Sequence, residues 1–391
     1  MLGVLGVFKY YNFFATEFAN AFLGGNADGL LLKIILPVGI SFYTFSALSY
    51  TIDLYRGNVK IARNPLNVFA YLSFFPQLLS GPIGRASELL PQYARRRDFE
   101  YAPAIDGLRQ MLWGFFKKMV IAGNCAKIVD PVWADYGSFD AATLVLVAIL
   151  YAIQIYGDFS GYSDMAIGCA KLFGIRLRQN FLFPYFSRDV AEFWRRWHIS
   201  LNAWFRDYLY IPLGGSRAGT AKTIRNTLII FAVCGFWHGA NWTFIAWGIF
   251  HGLLFVPLLL TKSSKKNSGV FAENSAFPSA KEFFQIALTF ALITIGWVFF
   301  RAPTIHDALA FFAQIFHGGF DFGMLKGFGL KTTFAGIAFL FAVEWFARRR
   351  EHGLSNLYVK NSVLRWAIYF ALAYATLVFQ GKQESFIYFQ F

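Results

Sequence analysis

Charged residues are scarce in this chain of 391 residues, where Asp, Glu, Lys and Arg together make up only 15% of the sequence. A typical soluble domain contains about 25% of these residues. Hydrophobic residues make up 57% of the chain and aromatic residues 20%, and the mean hydropathy is +0.45. The shortage of charge therefore excludes a soluble enzyme and indicates a polytopic membrane protein.

Cysteine is also rare, and Cys125, Cys169 and Cys234 lie far apart in apolar sequence. This excludes a disulfide framework and a CxxC metal site. HExxH, Walker A and GxSxG patterns are lacking too, as are zinc fingers and basic zippers. We therefore expect no bound metal and no nucleic-acid partner, and we assign the net charge of +14 to loops that retain Lys and Arg on the cytoplasmic side of a bilayer.

Long uncharged runs are what the chain has in abundance, and they predict eight to ten membrane segments in an all-α fold with interfacial and re-entrant helices. The longest run, residues 226–260, has no Asp, Glu, Lys or Arg over 35 residues. As one helix it would reach about 50 Å, whereas a bilayer core is about 30 Å thick. The run is therefore expected to be steeply tilted, broken, or divided into two segments by a turn, and Gly239 and Asn241 offer a break in its middle.

Basic clusters beside the spans predict the orientation of the bundle. The four densest are assigned to the cytoplasm: Arg95–Arg97, Lys117-Lys118, Lys262 with Lys265-Lys266, and Arg348–Arg350. Residues 262–281 read as a flexible loop, and Asp158 and Asp164 as part of a polar helix end near the membrane surface.

Charged residues embedded in aromatic sequence mark the centre of the chain. Arg195, Arg196, His198 and Arg206 occur among Trp and Tyr residues between positions 193 and 210. Such charges are costly in lipid and mark functional cavities, but the same pattern is typical of helices at the headgroup level. Both interpretations stay open. The arginines are candidates for binding donor phosphates, or for pairing with Asp189, Glu192 and Asp207.

His238 lies inside the long uncharged run. Burial favours the neutral form of an imidazole, which can accept a proton from an attacking hydroxyl. Gly239 and Ala240 allow a close approach of a ligand or of another backbone, and Asn241 is placed to polarise a carbonyl or to orient the ring. The alternative is a structural histidine satisfied by a neighbouring helix, which is the interpretation we give to His251.

Four strings resemble those of the membrane-bound O-acyltransferases, and in particular of the branch that acetylates bacterial alginate, other polysaccharides and peptidoglycan. They are DFSGYSDMAIG (158–168), FWRRWHISLNAWFRDYLYIPLGG (193–215), GFWHGANWTFIAWG (235–248) and FIYFQF (386–391). The resemblance implies a helical bundle around a transmembrane tunnel. It matches His238 to the family's essential histidine and His198 to a second histidine characteristic of this branch.

The resemblance also implies a function. An acetyl group would pass from a cytoplasmic thioester, acetyl-CoA, across the bacterial inner membrane to an exported polysaccharide, with a periplasmic SGNH-like acetyltransferase as partner. The remaining candidate residues for donor or substrate binding are Asn241, Trp237, Arg195, Arg196 and Arg206. Residues 1–391 are expected to form one multi-pass domain that lacks the N-terminal helices of relatives.

Two other functions stay open. One is transfer of D-alanyl groups to teichoic acid from a carrier-protein thioester, since the histidine contexts occur in both branches. The other is a transporter without catalysis. Transporters often contain two related halves with interrupted helices, and we find no such repeat in this sequence.

Overall fold

The computed structural model describes residues 1–27, 29–217, 219–273, 275–319, 321, 330–355, 359 and 361–382. All regular structure within these ranges is helical, which confirms the all-α class. The α-helices are α1 (Leu2–Leu5), α2 (Tyr11–Phe22), α3 (Ile40–Tyr55), α4 (Pro65–Ser73), α5 (Phe75–Leu78), α6 (Ala86–Ala94), α7 (Tyr101–Phe115), α8 (Gly123–Ala134), α9 (Ala141–Leu172), α10 (Val190–Arg196), α11 (Ile199–Phe205), α12 (Thr220–His238), α13 (Trp242–Leu260), α14 (Ala280–Arg301), α15 (Ile305–His317), α16 (Leu330–Phe346) and α17 (Ser362–Val378). The string 386–391, on which part of the resemblance rests, lies outside the described residues.

Shorter helical turns join several of these helices. The π-helical turns span Gly6–Tyr10, Phe116–Ala122 and Arg206–Tyr210, and the 3₁₀ turns span Tyr136–Ser138 and Pro184–Phe186. Because the π-turn at Phe116–Ala122 connects α7 directly to α8, these elements form one continuous helical run from Tyr101 to Ala134.

Helix α9 lies at the centre of the bundle. It begins at Asp140, whose carboxylate accepts hydrogen bonds from the backbone N–H and the hydroxyl of Thr143 at 3.1 and 2.7 Å. Its residues are buried on every face along most of its length. Helix α7 packs closely against it, since a Cβ at Gly107 would meet the carbonyl oxygen of Gly168 and a Cβ at Gly114 that of Gly161. Small residues that let backbones approach are typical of packed membrane helices.

Ion pairs join the α7–α8 run to α9 and correct one sequence prediction. Lys117 is 3% exposed and its ammonium lies 2.6 Å from the carboxylate of Asp164, while Lys118 pairs with Asp158. The two aspartates therefore lie inside α9 and do not mark a helix end. Sequence reasoning missed this because the partners are 40 or more positions apart and only helix packing brings them together.

Three of the described helices, α9, α13 and α14, are long and apolar enough to cross a membrane. The sequence predicted eight to ten segments. The difference arises because several uncharged runs fold into shorter helices. The run 64–84, for example, forms α4 and α5 with an extended residue, Phe74, between them.

Two of the four basic clusters line two cavities that share Asp106 and Glu351, and a third lies in the loop next to one of them. Arg95 lines a groove together with Glu351, and Arg348–Arg350 line a larger cavity together with Arg195. Arg195 also donates to the carbonyl oxygen of Ser264, in the loop that contains the third cluster. The common side expected for these clusters is consistent with this arrangement.

Candidate active site

The long uncharged run forms two helices joined by a turn, which is one of the arrangements its length left open, and His238 is the last residue of the first helix. Helix α12 ends at His238, Gly239 is extended at φ −160°, and the side chain of Asn241 caps α13 by accepting from the N–H of Thr243 at 3.0 Å. The two helices cross closely, since a Cβ at Gly235 would meet the backbone of Phe244. The turn thus holds the histidine inside the bundle and not at its surface.

Aromatic rings enclose His238, which is only 4% exposed. The ring centroids of Trp237, Trp247 and Phe300 lie 4.9, 5.1 and 5.4 Å from that of its imidazole. Trp247 and Phe300 are themselves buried to within 1%. The histidine therefore lies in an apolar environment from which bulk water is excluded.

His198 reaches the same place through a strained backbone. Its φ and ψ are 45° and 51°, a left-handed conformation that costs a residue other than glycine about 1–3 kcal/mol and that clusters at functional sites. Asn180, which is fully buried, holds this turn: its carbonyl accepts from the N–H of Ile199 at 3.0 Å, and its side-chain oxygen accepts from the hydroxyl of Ser200 at 2.8 Å. Sequence reasoning did not identify Asn180.

The two histidines face each other although they are 40 positions apart in the chain. Their ring centroids are 6.4 Å apart with an interplanar angle of 44°. Phe159 packs against His198 at 4.7 Å from the other side. We call the volume around these rings the histidine pocket, defined by His198, His238, Trp237, Trp247 and Phe300. It places two potential proton acceptors close together.

His251 lies next to this pocket. It is fully buried, and its ring centroid is 5.1 Å from those of Trp194 and Trp247. A Cβ at Gly296 would meet its Nε2 atom, so the imidazole fits directly against the backbone of α14. This close packing is consistent with the structural interpretation.

The large cavity at the basic side has a volume of about 1100 Å³, and we call it the arginine cavity. Its described lining includes six arginines: Arg109, Arg195, Arg196, Arg348, Arg349 and Arg350. Four carboxylates also border it: Asp106, Glu192, Glu273 and Glu351. Neither His198 nor His238 is among the described lining residues, so the cavity and the histidine pocket are separate spaces.

Arg195 and Arg196 lie at the rim of the arginine cavity with their donors partly engaged. Arg195 donates to the carbonyl oxygens of Ser264 and Asn267 at 2.7 and 2.8 Å. Arg196 pairs with the buried carboxylate of Glu192 at 2.9 Å. Arg196 thus has a carboxylate partner that the alternative interpretation expected, whereas Arg195 is held by backbone carbonyls.

The remaining candidates for donor or substrate binding, Arg206, Asn241 and Trp237, lie outside the arginine cavity. Arg206 is 62% exposed and pairs with Asp207 at 2.8 Å, away from the described lining of the arginine cavity. Asn241 donates to the carbonyl of Pro303 at 2.9 Å in addition to capping α13. Trp237 forms a wall of the histidine pocket. Within the described ranges, no three His, Cys, Asp or Glu side chains are grouped to hold a metal ion.

Fold and site together define a helical membrane protein with a buried pair of histidines beside an arginine-lined cavity. Residues 62–270 match the membrane-bound O-acyltransferase family, MBOAT, over more than half of the chain. The chain belongs to this family.

Comparison with individual relatives shows which members of the family this chain resembles. The chain is 40% identical over 320 residues to a probable alginate O-acetylase of Pseudomonas putida, covering 81% of this chain and 63% of that protein. It is 37% identical over 341 residues to a peptidoglycan O-acetyltransferase of Helicobacter pylori, covering 79% and 61%. It is 34% identical over 237 residues to a teichoic acid D-alanyltransferase of Streptococcus thermophilus, covering 55% of each. The chain thus spans about 60% of the length of the acetylating relatives it matches.

Proposed function

We propose that this chain is an O-acetyltransferase that carries an acetyl group from cytoplasmic acetyl-CoA across the inner membrane of a bacterium for the O-acetylation of an exported polysaccharide. The observation that carries the proposal is the histidine pocket, where His198 and His238 face each other at 6.4 Å in aromatic surroundings. Both residues lie in strings that resemble those of the family and within the stretch that matches it.

The chemistry needs one base. The oxygen of the acceptor hydroxyl bonds to the thioester carbonyl carbon, the carbon–sulfur bond breaks, and the hydroxyl proton passes through His238 to the leaving thiolate. General-base assistance of this kind contributes about 10²–10⁴-fold. His198 orients the acceptor or holds His238 in the required tautomer, and its strained turn fixes it for that role.

The donor enters from the arginine cavity, which faces the cytoplasm because Lys and Arg are retained on that side. Guanidinium groups match phosphate oxygens in a bidentate geometry, and Arg195 and Arg196 lie at the rim. Arg196 borders the cavity, the next residue Trp197 is buried, and His198 lies in the pocket. The proposed path takes a thioester arm past Trp197, so that its carbonyl reaches His238 through the expected tunnel.

The oxyanion that forms on the carbonyl is stabilised by a backbone N–H in preference to Asn241. The amide of Asn241 already caps α13 and donates to Pro303, which supports a structural role for it. Trp237 and Trp247 exclude water from the pocket, and this exclusion protects the thioester from hydrolysis.

The relatives' names suggest the acceptor. Alginate or peptidoglycan is the acceptor named for the more similar relatives, and we propose a polysaccharide of this kind, modified directly or through a periplasmic SGNH-like partner. Transfer of D-alanyl groups is the second candidate, supported by the 34% identity to the streptococcal enzyme. A transporter without catalysis leaves the paired histidines without a role.

The test uses the chain reconstituted in liposomes with acetyl-CoA on the side of the arginine cavity. We expect release of the CoA thiol together with labelled acetyl ester on an alginate oligosaccharide or peptidoglycan fragment, and none of either from His238→Ala. Consumption of a D-alanyl carrier thioester without turnover of acetyl-CoA would overturn the acetyl assignment in favour of the second candidate. Passage of intact solute without thiol release would overturn catalysis.

A further inference from the structure

A lysine from the N-terminal segment donates to the backbone carbonyls at the C-terminal end of α12. The Nζ atom of Lys9 lies 2.7 Å from the carbonyl oxygen of Trp237 and 3.0 Å from that of His238, and it also reaches the hydroxyl of Ser41 at 3.4 Å. Lys9 belongs to the π-helical turn Gly6–Tyr10 and is half-buried. These contacts join positions more than 220 residues apart to the backbone of the pocket histidine.

A helix leaves its last four carbonyl groups without partners inside the helix. The end of α12 lies within the bundle, where water cannot satisfy these groups, and a cation there also complements the helix dipole. The ammonium of Lys9 supplies both donors and charge at the residue that bears the imidazole. Its Nζ atom also lies 5.7 Å from the ring centroid of Trp237, a wall of the pocket.

The segment around Lys9 packs over the same turn at several further points. The ring of Tyr10 stacks on Phe236 at 4.4 Å, Phe13 contacts Trp242 at 5.8 Å, and the indole N–H of Trp242 donates to Glu17 at 3.0 Å. These contacts hold the N-terminal segment against the break between α12 and α13, so Lys9 is kept at its two carbonyls.

We propose that Lys9 is a positioning residue of the active site, which fixes the imidazole of His238 by binding the carbonyl oxygens of Trp237 and His238. The expected change in kcat rests on the proposed function. The expected displacement of the His238 ring does not, because it can be observed without turnover. A displacement of about 1 Å at a reacting group costs about 10²-fold in rate. Loss of the ammonium should therefore lower kcat and leave binding of the donor in the arginine cavity unchanged.

The experiment compares Lys9→Met and Lys9→Gln with Lys33→Met and Lys33→Gln, since Lys33 is exposed. We expect kcat per folded molecule to fall at least tenfold in Lys9→Met with the donor KM within twofold of wild type. Lys9→Gln, which retains a donor, should recover part of the loss, and both Lys33 variants should match wild type. Rates are normalised to monodisperse protein from size-exclusion chromatography.

A second measurement reads the geometry without turnover. In ¹⁵N-histidine spectra, the resonances assigned through His238→Gln should shift and broaden in Lys9→Met and stay in place in Lys33→Met. Wild-type kcat together with an unmoved His238 resonance in Lys9→Met would overturn the inference. If neither Lys9 variant can be recovered in folded form, the role of Lys9 is purely structural and the inference is also overturned. If wild-type protein does not turn over acetyl-CoA, the proposed function fails, and the spectra alone decide the role of Lys9.

Discussion

The histidine pocket and the arginine cavity differ in exposure, size and charge, although adjacent segments of the chain contribute to both. The pocket is small, aromatic and closed, and His238 at its centre is 4% exposed. The cavity is about 1100 Å³ in volume and is lined by six arginines and four carboxylates among the described residues. Arg196 at the rim of the cavity and His198 in the pocket are separated by one residue along the chain, Trp197.

This difference follows from what each space must do in the proposed reaction. A donor that bears phosphates must be attracted from water by cations, and this requires a wet, charged and open space. A hydroxyl that attacks the thioester while a histidine accepts its proton needs a fixed geometry and the exclusion of water. One space cannot meet both requirements, so the fold divides them. Variants in the pocket should therefore change kcat, and variants at the cavity should change the donor KM.

The largest effect is expected from His238→Ala. Removal of the general base should lower acetyl transfer by about 10³-fold or to background, while the protein stays folded and inserted. The measurement is the acetyl content of the exported polymer, with detergent-solubilised protein checked for monodispersity. His306→Ala, at an exposed histidine, is the matched control. Full acetylation by well-folded His238→Ala protein would contradict the assignment and with it the division of roles.

Among these substitutions, the largest loss of thermal stability is expected at the ion pair between Lys117 and Asp164, which lies outside the histidine pocket and the arginine cavity. Removing one partner of a buried pair costs about 3–5 kcal/mol, so Lys117→Met should lower the thermal midpoint sharply without altering kcat per folded molecule. The double change with Asp164→Asn should recover most of the midpoint, because it leaves no buried charge unpaired. A single variant as stable as wild type would show that the pair is not needed to join α7–α8 to α9.

His198→Ala should reduce transfer by about 10- to 100-fold, less than His238→Ala, because it removes orientation and not the base itself. The donor KM should stay within twofold of wild type, as expected of a residue in the pocket. Asn180→Ala, which removes the support of the His198 turn, should move kcat in the same direction. A raised donor KM with unchanged kcat in His198→Ala would place this histidine in donor binding instead.

The smallest effect is expected at the rim of the arginine cavity. Arg195→Lys and Arg196→Lys should raise the KM for acetyl-CoA about three- to tenfold, since an ammonium loses the bidentate geometry of a guanidinium. Arg206→Lys, which lies outside the cavity, should change the KM less than twofold. An unchanged KM with a lowered thermal midpoint would assign Arg195 and Arg196 a purely structural role.

Sequence reasoning predicted the parts of the site that depend on local pattern. Gly239 and Asn241 offered a break in the uncharged run next to His238, and the motif strings singled out His198 and His238 before any geometry was known. It missed Asn180 and Lys9, because an isolated Asn or Lys has no local signal when its partner lies far along the chain. It interpreted Asp158 and Asp164 as part of a polar helix end for the same reason, although they pair with Lys118 and Lys117 inside the bundle.

The sequence by itself determined that this chain is an all-helical membrane protein of the O-acyltransferase family, because composition and contiguous motifs are properties of neighbouring residues. Only the tertiary structure decided that His198 and His238 meet at 6.4 Å, that Lys9 closes the helix end behind His238, and that the arginines border a different space. These are contacts between helices distant in the chain. They depend on how the helices pack around α9, and no local pattern encodes that distance.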